Sequence, residues 1–225
     1  MNRVRSLLLG LLFVLGCTAS AQLPPGFKMP SLWYNPALMM DPGVQKDLHA
    51  SPAAVQKIQS AIMTQGMKMM PLMGSSMGGK APTAAEQQKM MPVFLAAFDA
   101  MQKACVDNLS KPQLERLHQI TLQSFGPKSL LDPKVGSQVG LTASQKTTLT
   151  QALAKVTAAQ QQAAMKMMRN STGNQGAAMG LLKQTRKQTD AVLNAILTPK
   201  QKQKWAALQG KPIELSGMAG MMGGG

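Results

Sequence analysis

The sequence predicts an all-α protein built from two tandem helical repeats. Runs of β-branched residues are missing, whereas Ala, Gln and Met are plentiful, and this composition favours helices over strands. Apolar residues recur at helical spacing along four long segments. Asp41–Val44 matches Asp132–Val135 at an offset of 91 residues, and Leu109–Gln113 matches Leu197–Gln201 at 88. We expect two antiparallel helical hairpins, each followed by a short capped helix, packed as a bundle or a curved cradle.

Residues 1–21 are expected to be a secretory signal peptide. Two Arg precede an apolar run from Ser6 to Gly16, which is shorter than the ~20 residues that a membrane-spanning helix requires. The small residues of Ala19-Ser20-Ala21 then favour cleavage after Ala21, which gives a periplasmic protein. The alternative stays open, because VLGC at residues 14–17 resembles a bacterial lipobox. Cleavage before Cys17 would leave that cysteine acylated and the protein lipid-anchored to the envelope.

The lead-in and the first repeat come next. Residues 22–40 form a Pro-rich lead-in, and its aperiodic part, residues 22–35, is expected to be extended with Trp33 and Tyr34 docked on the body. Residues 41–125 are predicted to hold two long helices, joined by a loop over 71–82, and a short third helix over 110–124. Thr83-Ala84-Ala85-Glu86 is a capping box that opens the second long helix, and Pro92 should kink that helix or delay its start. The apolar faces are Val55, Ile58, Ile62 and Met69 on the first helix, and Met90, Phe94, Ala97, Met101 and Cys105 on the second.

The second repeat, residues 126–212, has the same predicted plan. Its first helix runs from Thr142 to Arg169, a polar loop covers 170–176, and a short helix begins at Thr198 and ends near Gly210. Residues 213–225 form a Gly- and Met-rich tail that is predicted to be disordered. The apolar positions are Leu149, Leu153, Val156 and Ala163 on the first helix, and Leu182, Thr185, Thr189, Val192 and Ile196 on the returning one.

The chain is strongly basic and poor in cysteine. Its formal net charge is +15, and removal of the expected signal with its two Arg leaves +13. Such a charge suggests attraction to acidic proteins or other anionic surfaces, although a merely solvated basic surface is an equal alternative. No run of three basic residues occurs and export is expected, so we predict no nucleic-acid partner. Cys105 is the only cysteine after the signal, and we predict that it is a buried small hydrophobe.

The motif Leu-Thr/Ser-x-x-Gln recurs at predicted helix starts. Its Ser or Thr is the N-cap, and its Gln at the third helical position can return a hydrogen bond to the N–H of the cap residue. Loss of such a cap costs ~1 kcal/mol. A degraded copy at residues 50–54 lacks the Gln. We predict that the motif starts helices and performs no chemistry. The complete cap pairs are Ser110 with Gln113, Thr142 with Gln145, and Thr198 with Gln201.

These motifs, on a basic helical chain behind an export signal, resemble the Spy/CpxP family of periplasmic proteins. The resemblance covers about residues 41–212 and is strongest at 141–208, which ends in LTPKQKQKWAAL. It implies an ATP-independent chaperone or a stress- or metal-responsive envelope protein. Chaperone members of that family form cradle-shaped homodimers with a basic, partly apolar concave face. Here two repeats lie in one chain, so one chain could supply what a dimer supplies there.

One Met-Lys-Met-Met string ends the first long helix of each repeat. The two strings could pack internally, offer a flexible apolar surface to clients, or present soft thioether ligands to Cu(I). No Cys or His accompanies either string. The candidate client-binding residues are Met67, Met69, Met70, Met73, Met165, Met167 and Met168, with Lys68 and Lys166. The weaker candidate metal ligands are Met67, Met70, Met165 and Met168.

The sequence does not favour an enzyme. His49 and His118 are the only histidines, neither has a repeated carboxylate partner, and no Gly-rich loop has phosphate-binding spacing. We predict an exported, non-enzymatic protein that binds unfolded or acidic client proteins without ATP and without a cofactor. The alternative is a periplasmic copper-sensing or copper-buffering protein, and a purely structural envelope protein is a third possibility.

Overall fold

The computed structural model describes residues 33–74, 84–169, 175–213 and 215. These residues form eight α-helices and no strand, so the predicted all-α class is confirmed. Predictions for the signal, for most of the lead-in, for residues 75–83 and 170–174 and for the tail from 216 onward lie outside the described residues. The helices are α1 (Pro42–Asp47), α2 (Pro52–Gly74), α3 (Ala84–Asn108), α4 (Lys111–Phe125), α5 (Pro133–Val139), α6 (Ala143–Arg169), α7 (Gln175–Ile196) and α8 (Pro199–Gln209).

None of the helices in these described ranges combines the length and the apolarity that crossing a bilayer demands.

The chain folds into two compact units, and the boundary between them falls inside α4. The first unit ends at His118 and the second continues from Gln119. In the first unit α2 packs along α3, and a 3-10 helix at Pro36–Met40 packs on α2. In the second unit α6 packs along α7, while a 3-10 helix at Gly126–Leu131 contacts α5 and α6.

The core of the first unit follows the predicted apolar faces. Ile58 and Cys105 are fully buried, and Met69 clusters with Phe98 and Met101. Pro92 lies inside α3, which begins at Ala84, so Pro92 does not delay the start of the helix. Val55 and Met90, two of the residues predicted to face the core, are only partly buried.

Two short helices, α1 and α5, go beyond the predicted elements. Asp41 caps α1: its Oδ1 accepts from the N–H groups of Gly43 at 2.7 Å and Val44 at 3.3 Å. Asp132 caps α5 in the same way: its Oδ1 accepts from the N–H groups of Lys134 at 2.8 Å and Val135 at 3.2 Å. Each Asp is followed by a Pro at the first helical position, where the missing N–H has no intrahelical role. The repeated Asp-Pro-x-Val pattern is therefore a helix start, and both of its valines are buried.

The described part of the lead-in begins at Trp33 and docks on the first unit. The Trp33 ring stacks on His118 with centroids 3.9 Å apart, and the His118 Nδ1 lies 2.8 Å from the Trp33 carbonyl oxygen. Gln102 donates to the Tyr34 carbonyl at 2.9 Å. Burial raises the pKa of Tyr34. These contacts confirm the expectation that Trp33 and Tyr34 dock, and they give His118 a structural role.

The second unit buries Leu149, Leu153 and Trp205, and the α7 residues Thr185 and Thr189 are buried with them. After α8 the chain returns to α4. The Gln123 amide donates to the carbonyls of Gln209 and Lys211, at 2.6 and 2.8 Å, and accepts from the Ile213 N–H at 3.1 Å. The predicted disordered tail thus begins with a residue, Ile213, that is hydrogen-bonded; its remaining residues lie outside the described part, apart from Leu215.

We expect Cys105 to resist thiol reagents in the folded protein. Its side chain is fully buried, and burial raises the pKa of its thiol to about 12, so the reactive thiolate is scarce near neutral pH. In a Cys17→Ser variant, Cys105 is the only thiol. Ellman's reagent should label that variant at least ~100-fold more slowly in buffer than in concentrated guanidinium chloride. Equal rates in the two solvents would contradict the buried position.

Candidate binding surface and capping network

The two complete motifs of the second unit meet through their glutamines. Gln145 donates to the Gln201 side-chain oxygen at 2.8 Å, and Gln201 donates to the Gln145 oxygen at 3.0 Å. Each glutamine also accepts from the N–H of its own cap residue at 3.0 Å, Thr142 in one motif and Thr198 in the other. The Thr hydroxyls accept from the Gln N–H groups at 3.1 and 3.3 Å, so both capping boxes are complete.

The remaining amide hydrogens reach across to the chain that precedes the other motif. Gln145 donates to the Ile196 carbonyl at 2.8 Å, and Gln201 donates to the Gly140 carbonyl at 2.7 Å. Each amide thus makes four hydrogen bonds, two as donor and two as acceptor, which is the full capacity of a glutamine side chain. We call these contacts the paired-glutamine network. They tie the start of α6 to the start of α8.

The first unit has half of such a network. Gln113 accepts from the Ser110 N–H at 2.9 Å and donates to the carbonyls of Leu48 and His49, at 3.0 and 3.1 Å. The degraded motif copy places Ala54 where the second glutamine would stand, and Ala54 donates its backbone N–H to the Ser51 hydroxyl at 3.2 Å. Gln113 therefore uses both amide hydrogens on backbone carbonyls instead of sharing one with a partner glutamine.

This network was not predicted from the sequence, because each glutamine was assigned to its local cap alone. A signal was present. All three complete copies carry Gln at the third helical position, although Glu would also close a capping box and would suit the positive end of the helix dipole better. Only an amide can accept from the cap and also donate to a distant carbonyl. The absence of Glu from these positions pointed to a donor role.

The predicted methionine cluster of the first unit divides into buried and exposed members. Met69 is 5% exposed and packs with Ala97, Phe98 and Met101. Met67 and Met70 are 57% and 51% exposed. Met69 therefore serves the core, which leaves Met67, Met70 and the exposed Lys68 as the surface candidates.

A further exposed apolar residue lies on α3. Val93 of α3 is 40% exposed and precedes Phe94, which packs against the same core cluster as Met69. Its exposure could not be predicted, because a single valine on a helix carries no distinguishing pattern. Met67 and Met70, three residues apart on one side of α2, are called the methionine surface.

The other candidate residues fall outside the described side chains. Met73 lies in the last turn of α2, and Met165, Lys166, Met167 and Met168 lie near the end of α6. Nothing is stated of their side chains, and their predicted client-binding or metal-binding roles stay predictions.

The positive charge is divided unevenly between the units. Residues 119–225 carry thirteen Lys and Arg against three acids, a net charge of +10. Residues 23–118 carry nine against six, a net charge of +3. In the first unit Arg116 pairs with Asp47 at 2.6 Å, and Lys103 pairs with Asp107 at 2.8 Å. Three acids cannot partner thirteen cations, so the second unit presents a largely uncompensated positive surface.

Two lysines of α8 illustrate this surface. Lys200 and Lys204 are exposed and lie four residues apart, on one face of the helix. Lys128, in the 3-10 helix of the same unit, is partly buried, and that burial lowers the pKa of its amine. Both kinds of charge contribute to the difference between the units, since the second unit has four more bases and three fewer acids than the first.

The described residues contain no cluster of the side chains that commonly bind metal ions. No group of three or more His, Cys, Asp and Glu within the described ranges is placed to hold one. His118 is engaged with Trp33, and His49, two residues after the end of α1, has a φ of 49°. Met67 and Met70 lie three residues apart on α2 and could present two thioethers on one side of the helix.

Comparison with known proteins adds no relative. No family model matches this chain. Neither the curated proteins nor the solved structures contain a significant match. The resemblance to the Spy/CpxP family consequently rests on the motifs alone and stays a prediction.

Proposed function

We propose that this protein is an exported, ATP-independent binder of unfolded or acidic proteins, akin to the Spy/CpxP family. The observation that carries the proposal is an exposed methionine surface on one unit, in a chain whose other unit holds a net charge of +10. Methionine is unbranched and polarisable, so it can adapt to apolar segments of different shape. Uncompensated lysines attract acidic chains over distances of about a Debye length.

The two units are proposed to be copies of one ancestral helical hairpin, arranged as a bundle or cradle. Three local features support this. Asp41 and Asp132 cap short helices in the same way, Ile58 and Leu149 are both fully buried at matched positions, and Gln113 and Gln201 both donate to the chain before an earlier motif copy. A single chain would then supply what a homodimer supplies in the family it resembles.

Capture and release would require neither a nucleotide nor any other cofactor. The expected compartment contains no ATP, and the proposed interaction combines hydrophobic contact with long-range attraction. A client would leave when it buries its own apolar segments by folding, because folding removes the surface that Met67 and Met70 contact. This mechanism needs no catalytic group.

Replacing both exposed methionines by glutamine should weaken capture of an unfolded client by about fivefold. The double variant Met67→Gln/Met70→Gln keeps helix propensity and side-chain length but removes roughly 1 kcal/mol of apolar contact. Light scattering of a chemically denatured, acidic client, diluted into several-fold molar excess of the protein without ATP, gives the readout. Met67→Leu/Met70→Leu is the matched control and should retain capture.

Two further results bear on the same proposal. Raising the salt concentration should weaken capture several-fold, because screening shortens the reach of the charge on the second unit. If the unsubstituted protein does not suppress aggregation at several-fold molar excess, the proposal fails. If the glutamine and leucine variants capture equally well, the methionine surface is not the contact site.

A copper-binding role is the second candidate, favoured by the exposed Met67 and Met70 thioethers. Titration with Cu(I) under reducing conditions separates the two functions. Leucine keeps an apolar surface but removes the soft sulfur ligand. Loss of Cu(I) affinity in a variant with Met67, Met69, Met70, Met165, Met167 and Met168 replaced by Leu would favour the metal role, and unchanged affinity would exclude it.

A further inference from the structure

We propose that Met67 and Met70 are sites of reversible oxidation, and that their sulfoxides switch off the methionine surface. The observation behind this proposal is that methionine side chains of the same chain differ widely in their exposure to solvent. Met67 and Met70 are 57% and 51% exposed, whereas Met39, Met69 and Met101 are 0%, 5% and 4% exposed. Susceptibility of a thioether to oxidants follows its access to solvent. Among the methionine side chains that the structure describes, Met67 and Met70 are therefore the most accessible to oxidants, and the other three are the most protected.

The chemistry needs a two-electron oxidant such as hydrogen peroxide. The thioether sulfur attacks one peroxide oxygen, the O–O bond breaks, and proton transfer releases the other oxygen as water. Sulfur is oxidised by two electrons and the peroxide is reduced by two, so one sulfoxide and one water form from each thioether and peroxide. Methionine sulfoxide reductases reverse the step, which makes the modification suitable for regulation.

The position of these residues lets the fold tolerate the change. A sulfoxide is polar, and at Met67 or Met70 its oxygen can be hydrated because the side chain already faces solvent. At Met69 the same oxygen would enter the core cluster with Phe98 and Met101, where an unsatisfied polar atom is costly. Oxidation at the surface should thus change what the protein binds and leave the packing of α2 against α3 intact.

The regulatory part rests on the proposed client-binding function. A sulfoxide at both positions replaces an adaptable apolar contact by a hydrated one, as the glutamine substitutions do. We therefore expect oxidised protein to capture an unfolded client about fivefold less well than reduced protein, and we expect reductase treatment to restore capture.

The site assignment is tested by peptide mapping of the full chain after timed exposure to hydrogen peroxide. Trypsin cleavage after Lys68 separates Met67 from Met69 and Met70, and fragment-ion spectra separate the last two. Met67 and Met70 should gain oxygen at least ~10-fold faster than Met39, Met69 and Met101 while the protein is folded, and at similar rates once denatured. If Met69 oxidises as fast as Met70 in folded protein, the assignment is overturned.

The regulatory part is tested on the same oxidised samples in the aggregation assay. Capture should fall in the unsubstituted protein and recover after treatment with methionine sulfoxide reductase and dithiothreitol. Whatever the capture by untreated Met67→Leu/Met70→Leu, peroxide should leave it at that variant's own untreated level. Full capture by protein oxidised at both positions overturns the switch. If reduced protein captures no client, the proposed function fails and the switch with it, while the peptide rates still decide whether Met67 and Met70 are the oxidised sites.

Discussion

Replacing Gln201 with Ala should lower the free energy of unfolding of the second unit by about 2–3 kcal/mol. The substitution removes the acceptor that closes the Thr198 capping box, and it leaves the Gly140 carbonyl without the amide that donates to it. It also deprives Gln145 of one donor and one acceptor. Urea denaturation followed by Trp205 fluorescence measures the loss, because Trp205 is buried in the same unit.

Two further substitutions separate the paired-glutamine network from simple helix propensity. Gln203→Ala is the matched control, since Gln203 is exposed on the same helix, and it should change stability by less than ~0.5 kcal/mol. Gln201→Glu keeps the acceptor for the cap but loses the donor, so it should remain destabilising. In a double-mutant cycle with Gln145→Ala, we expect a coupling of about 1 kcal/mol. Additive effects would show that the two amides act independently.

Ile58→Ala should destabilise the first unit by about 3 kcal/mol. Ile58 is fully buried on α2, and truncation removes three carbon atoms from the core and leaves a cavity. Trp33, stacked on His118, reports on the same unit, and its fluorescence is isolated in a Trp205→Phe background. The exposed neighbour Gln56 provides the control, and Gln56→Ala should leave the transition within ~0.5 kcal/mol.

The matched position in the second unit extends this prediction. Leu149 is also fully buried, so Leu149→Ala should cost a similar amount, read by Trp205 in a Trp33→Phe background. A loss below ~1 kcal/mol at Ile58 would contradict its place in the core. If Ile58→Ala shifts the Trp205 transition as much as the Trp33 transition, the two units unfold together.

Helix ends were predictable because caps act over three or four residues. The sequence predicts a short helix that begins at Thr198 and ends near Gly210, and α8 runs from Pro199 to Gln209 with those two residues as its caps. Apolar periodicity likewise identified Ile58 and Cys105 as core residues. Such features depend on neighbours in the chain, so they are visible without knowledge of the tertiary contacts.

The candidate site was only partly predictable, because its properties depend on packing between distant segments. Met67, Met69 and Met70 look alike in sequence, and only the position of α3 decides that Met69 is buried while the others are exposed. The bond between Gln145 and Gln201 joins residues 56 positions apart. The uneven charge depends on where the chain divides into units, and the whole-chain total does not reveal that division.

The stacking of Trp33 on His118 also limits how far the docked Trp33 could lie from a lipid anchor at Cys17. Trp33 lies sixteen positions after Cys17 in the sequence. A fully extended segment of that size spans at most about 55 Å. With lipid on Cys17, Trp33 would stay within that distance of the membrane, and the first unit would meet only clients close to the membrane. With cleavage after Ala21, no such limit applies, and the protein could meet clients throughout its compartment.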